Sequence, residues 1–160
     1  MSDQKSDLES RIAKLEAESD IRKLKARYLN ACDAKDVKAV RACFTEDAEI
    51  EFPPLGSFNL DGLMGIFNQM AATTPIVDVH HGHNGEIEID GDTATGRWNL
   101  GFATYDPREK SFRMLASFYE DRYRKTDEGW RICYTKSTPR TIVDGTLASE
   151  TPTAKWMMEN

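Results

Sequence analysis

The chain has 160 residues, the usual length of one domain. A hydrophobic fraction of 39%, with seven Phe, five Tyr and three Trp, is enough for one packed core and argues against global disorder. The formal net charge of −6 leaves no general cationic surface, so we expect no nucleic-acid partner and no anionic membrane partner.

The sequence also predicts where in the cell the protein is located. No apolar run approaches the roughly 20 residues that cross a membrane, and the charged N-terminus has no signal-peptide stretch. The three cysteines, Cys32, Cys43 and Cys133, have no short metal-type spacing and are expected to be buried thiols. We therefore expect a cytoplasmic protein.

The first third of the sequence predicts helices. Residues 8–34 contain neither Pro nor Gly. Their second half carries an apolar stripe with spacings of three and four, formed by Ile21, Leu24, Tyr28 and Cys32. An earlier stripe is out of phase with it, with the slip around Ser19, and consists of Leu8, Ile12 and Leu15. Residues 1–19 are therefore expected to form a separate helix or an arm outside the core. A short helix is predicted after Asp36, and a third over residues 61–72.

The remaining sequence has the period of two that predicts β-strands. Residues 48–52 form a short first strand that Pro53 ends. Four longer strands are predicted over residues 77–89, 93–105, 112–125 and 130–142, joined by short turns such as Asp90-Gly91-Asp92. Such links produce antiparallel hairpins. We predict an α+β fold, with one domain over residues 20–145 and a C-terminal tail over residues 146–160.

The third long strand is apolar at both parities. One parity includes Phe112, Met114 and Phe118, and the other includes Leu115 and Tyr119. A sheet with one wet face alternates more cleanly, so both faces are expected to be covered. Helices or a pocket would cover one face and a second copy of the chain the other, which predicts a homodimer or a dimer-based oligomer.

All three histidines lie in one segment, His80-His81-Gly82-His83-Asn84. A metal site is one interpretation, but histidines so spaced on a strand converge poorly and no cysteine lies nearby. Packed or exposed imidazoles without a function are the second interpretation. The third is acid–base chemistry, because an imidazole titrates at about pH 6.5.

Asp33 and Tyr28 are the candidate partners of a histidine base. Asp33 lies at the predicted C-terminal end of the long helix, where the helix macrodipole disfavours an acid, so either a function or simple exposure explains it. Tyr28 lies on the apolar stripe, as a core residue or as a pocket hydroxyl. Five helical residues rotate by about 140°, so the two share a site only if the helix ends before Asp33 or the pocket wraps around its end.

Five blocks in order resemble SnoaL-like proteins of the nuclear transport factor 2-like superfamily. The opening block runs from Ile21-Arg22-Lys23-Leu24 through Arg27-Tyr28 to Asp33 and Asp36, and the next is Phe44-Thr45-Glu46-Asp47-Ala48. A third block is similar to that family's first long strand: His80, Asn84, Ile87 and Asp90-Gly91-Asp92-Thr93-Ala94. Two more are similar to its last two strands: Tyr119-Glu120-Asp121-Arg122-Tyr123 and Gly129-Trp130-Arg131-Ile132. The resemblance covers about residues 20–137.

The resemblance implies a cone, in which helices pack on a strongly curved antiparallel sheet around an apolar pocket. In lyase-like members a strand histidine acts as the base, paired with an aspartate at the end of the long helix and assisted by a tyrosine. By resemblance these roles fall on His80, Asp33 and Tyr28, with His81 or His83 in place of His80 if the strand register differs. The family includes cofactor-free dehydratases, dehydrochlorinases, isomerases and aldol-type cyclases, and also proteins that only bind.

Alternation along the strands suggests the wall of a substrate-binding pocket. Its candidates, each equally compatible with a plain core role, are Trp98, Phe102, Met114, Phe118, Tyr119, Asp121 and Tyr134. The sequence has no glycine-rich phosphate loop or dinucleotide fingerprint, so we predict a site with no cofactor and no metal.

These observations together predict an acid–base enzyme. The first expectation is a lyase that eliminates water or halide from a hydrophobic cyclic or aromatic small molecule. An isomerase or an aldol-type cyclase would use the same pocket. The sequence is also compatible with a non-catalytic small-molecule-binding protein or with an oxygenase subunit.

Overall fold

The structure, a computed structural model, describes residues 2–73 and 76–147. Its helices are α1 (Ser2–Asp33), α2 (Val37–Arg41) and α3 (Leu60–Thr73). Its strands are β1 (Phe44–Phe52), β2 (Gly56–Asn59), β3 (Val77–Asp90), β4 (Thr93–Asp106), β5 (Ser111–Thr126) and β6 (Gly129–Thr146). From residue 148 onward, the predicted C-terminal tail lies outside the described residues.

The six strands form one curved, unclosed sheet in the order β2-β1-β6-β5-β4-β3. The helices pack on it through contacts of α1 with β3 and β6 and of α3 with β1, which confirms the α+β fold. The predicted sheet was wholly antiparallel, whereas β1 pairs with β6 in parallel. The whole meander separates β1 from β6 along the chain, so no tight turn dictates their relative direction.

Helix α1 continues through the phase slip of the two apolar stripes, so the residues before the slip are a helical extension of α1 and not the separate helix that was one of the two expectations. The pair Arg22–Glu18 (Nη2–Oε1 2.7 Å) bridges that point one helical turn apart. Three apolar side chains before it are exposed by about half: Leu8 (54%), Ile12 (46%) and Leu15 (66%). The slip therefore marks where α1 leaves the core, not where it ends.

The inner face of the sheet holds the core with α1 and α3. In β5 the inward side chains alternate with exposed ones, as in Tyr119, Asp121 and Tyr123 against Phe118 and Arg122. Pairing across four strands places Val79, Ala103, Met114 and Val143 in one row on the outer face. Because Val79, Met114 and Val143 are exposed, a homodimer through this face stays a prediction.

No helix within residues 2–73 and 76–147 is long and apolar enough to cross a membrane.

Candidate active site

The end of helix α1 presents Asp33 beside strand β3. Lys35 adopts a left-handed conformation (φ 56°), which ends the helical path, and Asp36 then caps α2 by accepting from the Ala39 N–H at 2.9 Å. Gly82 lets α1 approach β3 closely, since a Cβ there would lie 2.9 Å from Leu29 Cδ1. This close packing places the C-terminal end of α1 against the middle of β3.

Asp33 and His80 form the central pair of the site. His80 Nδ1 lies 2.5 Å from Asp33 Oδ1, and the His80 backbone N–H donates to both carboxylate oxygens at 3.1 and 3.2 Å. A carboxylate is an acceptor, so Nδ1 carries the donated proton and Nε2 is left free to accept one. A histidine held in this way by a carboxylate has the geometry that general-base chemistry requires.

Partial burial lowers the pKa of His80. The His80 side chain is 16% exposed and that of Asp33 27%. Desolvation lowers the pKa of His80 below its usual 6.5, while the hydrogen bond and charge of Asp33 raise it in part and the charges of Lys35 and Lys25 lower it. Since the pKa lies below 6.5, the imidazole is unprotonated at pH 7 and can take a proton.

His80 lines an apolar chamber of about 440 Å³. Its walls are mostly hydrophobic, with Phe52, Leu100, Phe102, Leu115 and Ile142 among them. Polar groups are few and comprise His80, Tyr119, Ser137, Arg113 and Asp144. A largely apolar chamber with a few convergent polar groups is typical of a small-molecule site.

The predicted wall residues divide between this chamber and other places. Phe102 lines the chamber, with its ring centroid 4.5 Å from that of His80, and so does Tyr119. Trp98 is buried and lines a smaller cavity of about 160 Å³ on the α1 side, which His80 also borders. Asp121 is buried beneath the chamber's wall residues and has a different role, given below.

Three predicted wall residues lie on the opposite face of the sheet, which corrects their assignment. Met114 and Phe118 have the parity opposite to Tyr119 and are 58% and 37% exposed. Tyr134 pairs with Arg122, whose guanidinium lies 4.0 Å from the tyrosine ring centroid. A register shift between Arg122 and Tyr123 changes which residues of β6 face outward, so Tyr134 lies on the outer face. Strand alternation in the sequence does not reveal such a bulge.

Tyr28 is a core residue in the structure. It is 2% exposed and packs edge-to-face on Phe44, with ring centroids 5.3 Å apart. It is not among the residues that line the chamber, whereas Tyr119 is. Burial raises the pKa of both tyrosines, so both hydroxyls stay protonated at neutral pH. Tyr119 is therefore the tyrosine of the chamber wall, and a side-chain hydrogen bond links it to Tyr28.

Sequence reasoning missed Lys25, a buried cation below the chamber. Lys25 Nζ lies 2.8 Å from Asp121 Oδ2, and the two side chains are 2% and 0% exposed. Asp121 also accepts from Tyr123 (2.7 Å) and Thr135 (2.7 Å). A signal was present in the sequence, because Lys25 is four residues after Ile21 and so falls on the buried stripe of α1.

Lys25 also contacts Tyr119, a residue of the chamber wall. Its ammonium lies 3.5 Å from the Tyr119 ring centroid, a close cation–π contact. Desolvation lowers the pKa of Lys25, and the charge and hydrogen bond of Asp121 oppose that effect. The buried pair therefore fixes Tyr119 from behind while Tyr119 faces the chamber.

The other two histidines do not form a metal site with His80. His81 and His83 have the opposite strand parity, and their rings stack on each other with centroids 5.7 Å apart. Among residues 2–73 and 76–147, no group of three or more His, Cys, Asp or Glu is placed to hold a metal ion.

Comparisons with known proteins agree with this architecture. The uncharacterized protein Rv2910c of Mycobacterium tuberculosis H37Rv is 28% identical over 128 residues, which cover 76% of this chain and 84% of that protein. The hexachlorocyclohexane dehydrochlorinase LinA-type3 from Novosphingobium barchaimii LL02 is similar with a TM-score of 0.72 at 18% identity, covering 87% of this chain and 93% of that chain. A protein from Novosphingobium aromaticivorans DSM 12444, provisionally named scytalone dehydratase, gives a TM-score of 0.75 at 18% identity, with coverages of 93% and 99%.

Structural likeness at such low identity shows the fold alone. The sequence itself is more specific, because residues 13–136 match the model of the SnoaL-like domain. This match spans most of the chain, and it includes Asp33 and His80. The chain belongs to the SnoaL-like domain family.

Proposed function

We propose that the protein is an acid–base enzyme of the lyase type, which eliminates water or halide from a hydrophobic cyclic or aromatic small molecule. The observation that carries the proposal is the His80–Asp33 pair, 2.5 Å apart, on the wall of an apolar chamber of about 440 Å³. The chemistry needs a base, an oriented hydroxyl and a dry site, and no cofactor.

The geometry supports the following elimination. His80 Nε2 takes the proton from the carbon next to an activating carbonyl group. The electron pair of that C–H bond forms the C=C bond, and the leaving group departs from the neighbouring carbon with its own bonding pair. A halide leaves as the anion, and the imidazolium then releases its proton to solvent. A hydroxyl group takes that proton as it departs and leaves as water. Asp33 stabilises the imidazolium that results, because its carboxylate accepts the Nδ1–H.

Tyr119 is the proposed donor to the carbonyl oxygen. Its hydroxyl stays protonated because burial raises its pKa, and its ring lines the chamber opposite the Lys25 ammonium. A preorganised donor stabilises the oxygen as negative charge develops on it. This assignment replaces the sequence prediction of Tyr28 in that role.

The relatives support elimination chemistry. Two solved structures with this fold bear the names of a dehydrochlorinase and a scytalone dehydratase, which are names of elimination reactions. An isomerase or cyclase would use the same base. A pure binding protein would fill the same chamber without turnover, so a turnover assay distinguishes the two.

The test is turnover of cyclic β-hydroxyketones and β-haloketones, followed by enone absorbance and halide release. His80→Ala and Asp33→Asn should each lower turnover about 10²-fold or more, because each removes part of the general base. Tyr119→Phe should lower it less, since it removes one hydroxyl and almost no volume.

His81→Ala is the matched control, because this neighbouring imidazole has the opposite strand parity. It should retain wild-type turnover. The proposal is wrong if no member of the panel is converted, or if His80→Ala and His81→Ala have the same turnover as the wild type.

A further inference from the structure

An ion pair stands at the rim of the chamber, between neighbouring strands β5 and β6. Arg113 Nε donates to Asp144 Oδ1 at 2.7 Å and Nη2 to Oδ2 at 3.0 Å, so the guanidinium presents two parallel donors to one carboxylate. Both residues line the chamber. Their side chains are 53% and 55% exposed, so water reaches the pair.

Arg113 lies close enough to the base for one small molecule to contact both. Strand pairing places His80, Phe102 and Leu115 in one row across β3, β4 and β5, and Arg113 is one inward position along from Leu115. Two strand spacings and a two-residue step separate the Cα atoms of His80 and Arg113 by roughly 12 Å. Both side chains reach inward and shorten that gap, so a compound of one or two rings can span it.

A second cavity, of about 550 Å³, lies on the other side of the same ion pair. Arg113 and Asp144 line it too, together with polar residues such as Thr104 and Ser111. The pair therefore separates an apolar chamber from a more polar space. A molecule whose ring occupies the chamber would direct a polar end toward Arg113.

Arg113 is the one side chain with a permanent positive charge among the residues, in 2–73 and 76–147, that line the chamber. Its partner can leave at little cost, because exposed ion pairs contribute little and the released Asp144 stays in water. A ligand carboxylate would accept the same two N–H groups in the same planar geometry.

We propose that the chamber takes an apolar ring compound that carries a carboxylate, and that Arg113 binds this carboxylate by exchanging Asp144 for it. The inference rests on the proposed function, in that it takes the chamber beside His80 as the substrate site. It adds the substrate class and a specificity-determining residue.

The test compares two probes of nearly the same shape, 2-naphthylacetate and its neutral amide, by isothermal titration calorimetry. The wild type should bind the carboxylate several-fold more tightly than the amide. Arg113→Gln should abolish this preference, whereas Asp144→Asn should increase it to about tenfold or more, because it removes the competing carboxylate. The preference should weaken as NaCl is raised.

Arg113→Gln and Asp144→Asn should change the carboxylate preference in opposite directions if Arg113 recognises the ligand. If the ion pair only stabilised the fold, the two substitutions would lower the stability of the protein alike. Arg124→Gln and Asp47→Asn are matched controls, because that exposed pair (3.0 Å) lies away from the chamber, and neither should alter probe binding. Equal affinity of the wild type for both probes, or equal effects of Arg113→Gln and Asp144→Asn, would overturn the inference. His80→Ala should keep the carboxylate preference, so loss of turnover and loss of preference report separately on the two proposals.

Discussion

Two ion pairs of nearly equal length lie next to the chamber, one beneath it and one at its rim. Lys25–Asp121 (2.8 Å) lies beneath it with side chains 2% and 0% exposed, and Arg113–Asp144 (2.7 Å) lies at its rim with both side chains about half exposed. The two pairs are alike only in the distance between their charged atoms. The first pair is buried and acts as a fixed support, because the loss of one partner would leave an unpaired charge without water. The second pair is exposed to water, so its partners can exchange.

The surroundings of the two pairs reinforce the difference. Asp121 accepts two hydroxyl donors besides Lys25, and the Tyr123 hydroxyl in turn accepts from Trp98 Nε1 at 2.9 Å. Asp144 is held by Arg113, and about half of its side chain faces solvent. The buried network therefore orders the chamber wall, while the rim pair is available to a ligand.

Breaking the buried pair should give the largest effect. Lys25→Met should lower the free energy of unfolding by about 3–5 kcal/mol, because it leaves Asp121 charged and unpaired in the core. Urea unfolding measures this loss. The double variant Lys25→Met with Asp121→Asn should recover part of it, since no unpaired charge remains. If Lys25→Met unfolds at the wild-type midpoint, the pair is not the support described above.

The exposure of the His80–Asp33 pair lies between those of the buried pair and the rim pair. Its partial burial should be visible in the titration of His80. The pKa of His80, followed by NMR of its ring C–H, should lie below 6.5 in the wild type and lower still in Asp33→Asn, which loses the group that raises it. Arg113→Gln should leave it almost unchanged, because the charges that act most strongly on His80 are those of Asp33, Lys35 and Lys25.

The same titration fixes the sign of a stability change with pH. The unfolded chain binds a proton on His80 at about pH 6.5, whereas the folded protein resists that proton until a lower pH. Stability from this group is therefore complete above pH 6.5 and falls as the pH drops toward the folded pKa. His80→Ala should flatten this part of the curve, and an unchanged curve would contradict the assignment.

The outer face offers a third environment, apolar and exposed. Met114 and Val143 pair across β5 and β6 there, 58% and 56% exposed. If a second copy covers this face, light scattering at micromolar concentration gives a dimer mass, and Met114→Glu should reduce it to the monomer mass. A monomer mass for the wild type would contradict the homodimer.

Breaking the rim pair should give the smallest effect. Arg113→Gln and Asp144→Asn should each leave the melting temperature within about 2 °C of the wild type, because both side chains stay hydrated when the pair is lost. Differential scanning calorimetry measures this, with Arg124→Gln as a second exposed pair for reference. A large fall would show that the pair is structural and not exchangeable.

Much of the fold followed from local patterns in the sequence. The apolar stripe of α1 predicted its buried face, and the turn at Asp90-Gly91-Asp92 predicted the hairpin of β3 and β4 that the structure contains. Such features depend on neighbours within a few residues, so a single sequence shows them. The continuity of α1 did not follow, because an apolar stripe reports where a helix is buried and not where it ends.

The chemical types available to the site could be predicted from the residues alone: a histidine on β3, an aspartate at the end of α1 and an apolar strand beside them. The folded chain was needed to show that Tyr119 lines the chamber in place of Tyr28, that Lys25 lies beneath it, and that Arg113 lies at its rim. These contacts join residues that are far apart in the chain, such as Lys25 and Asp121, and local patterns carry no information about them. Bulges in the strands, moreover, change which face a side chain occupies without a clear mark in the local sequence.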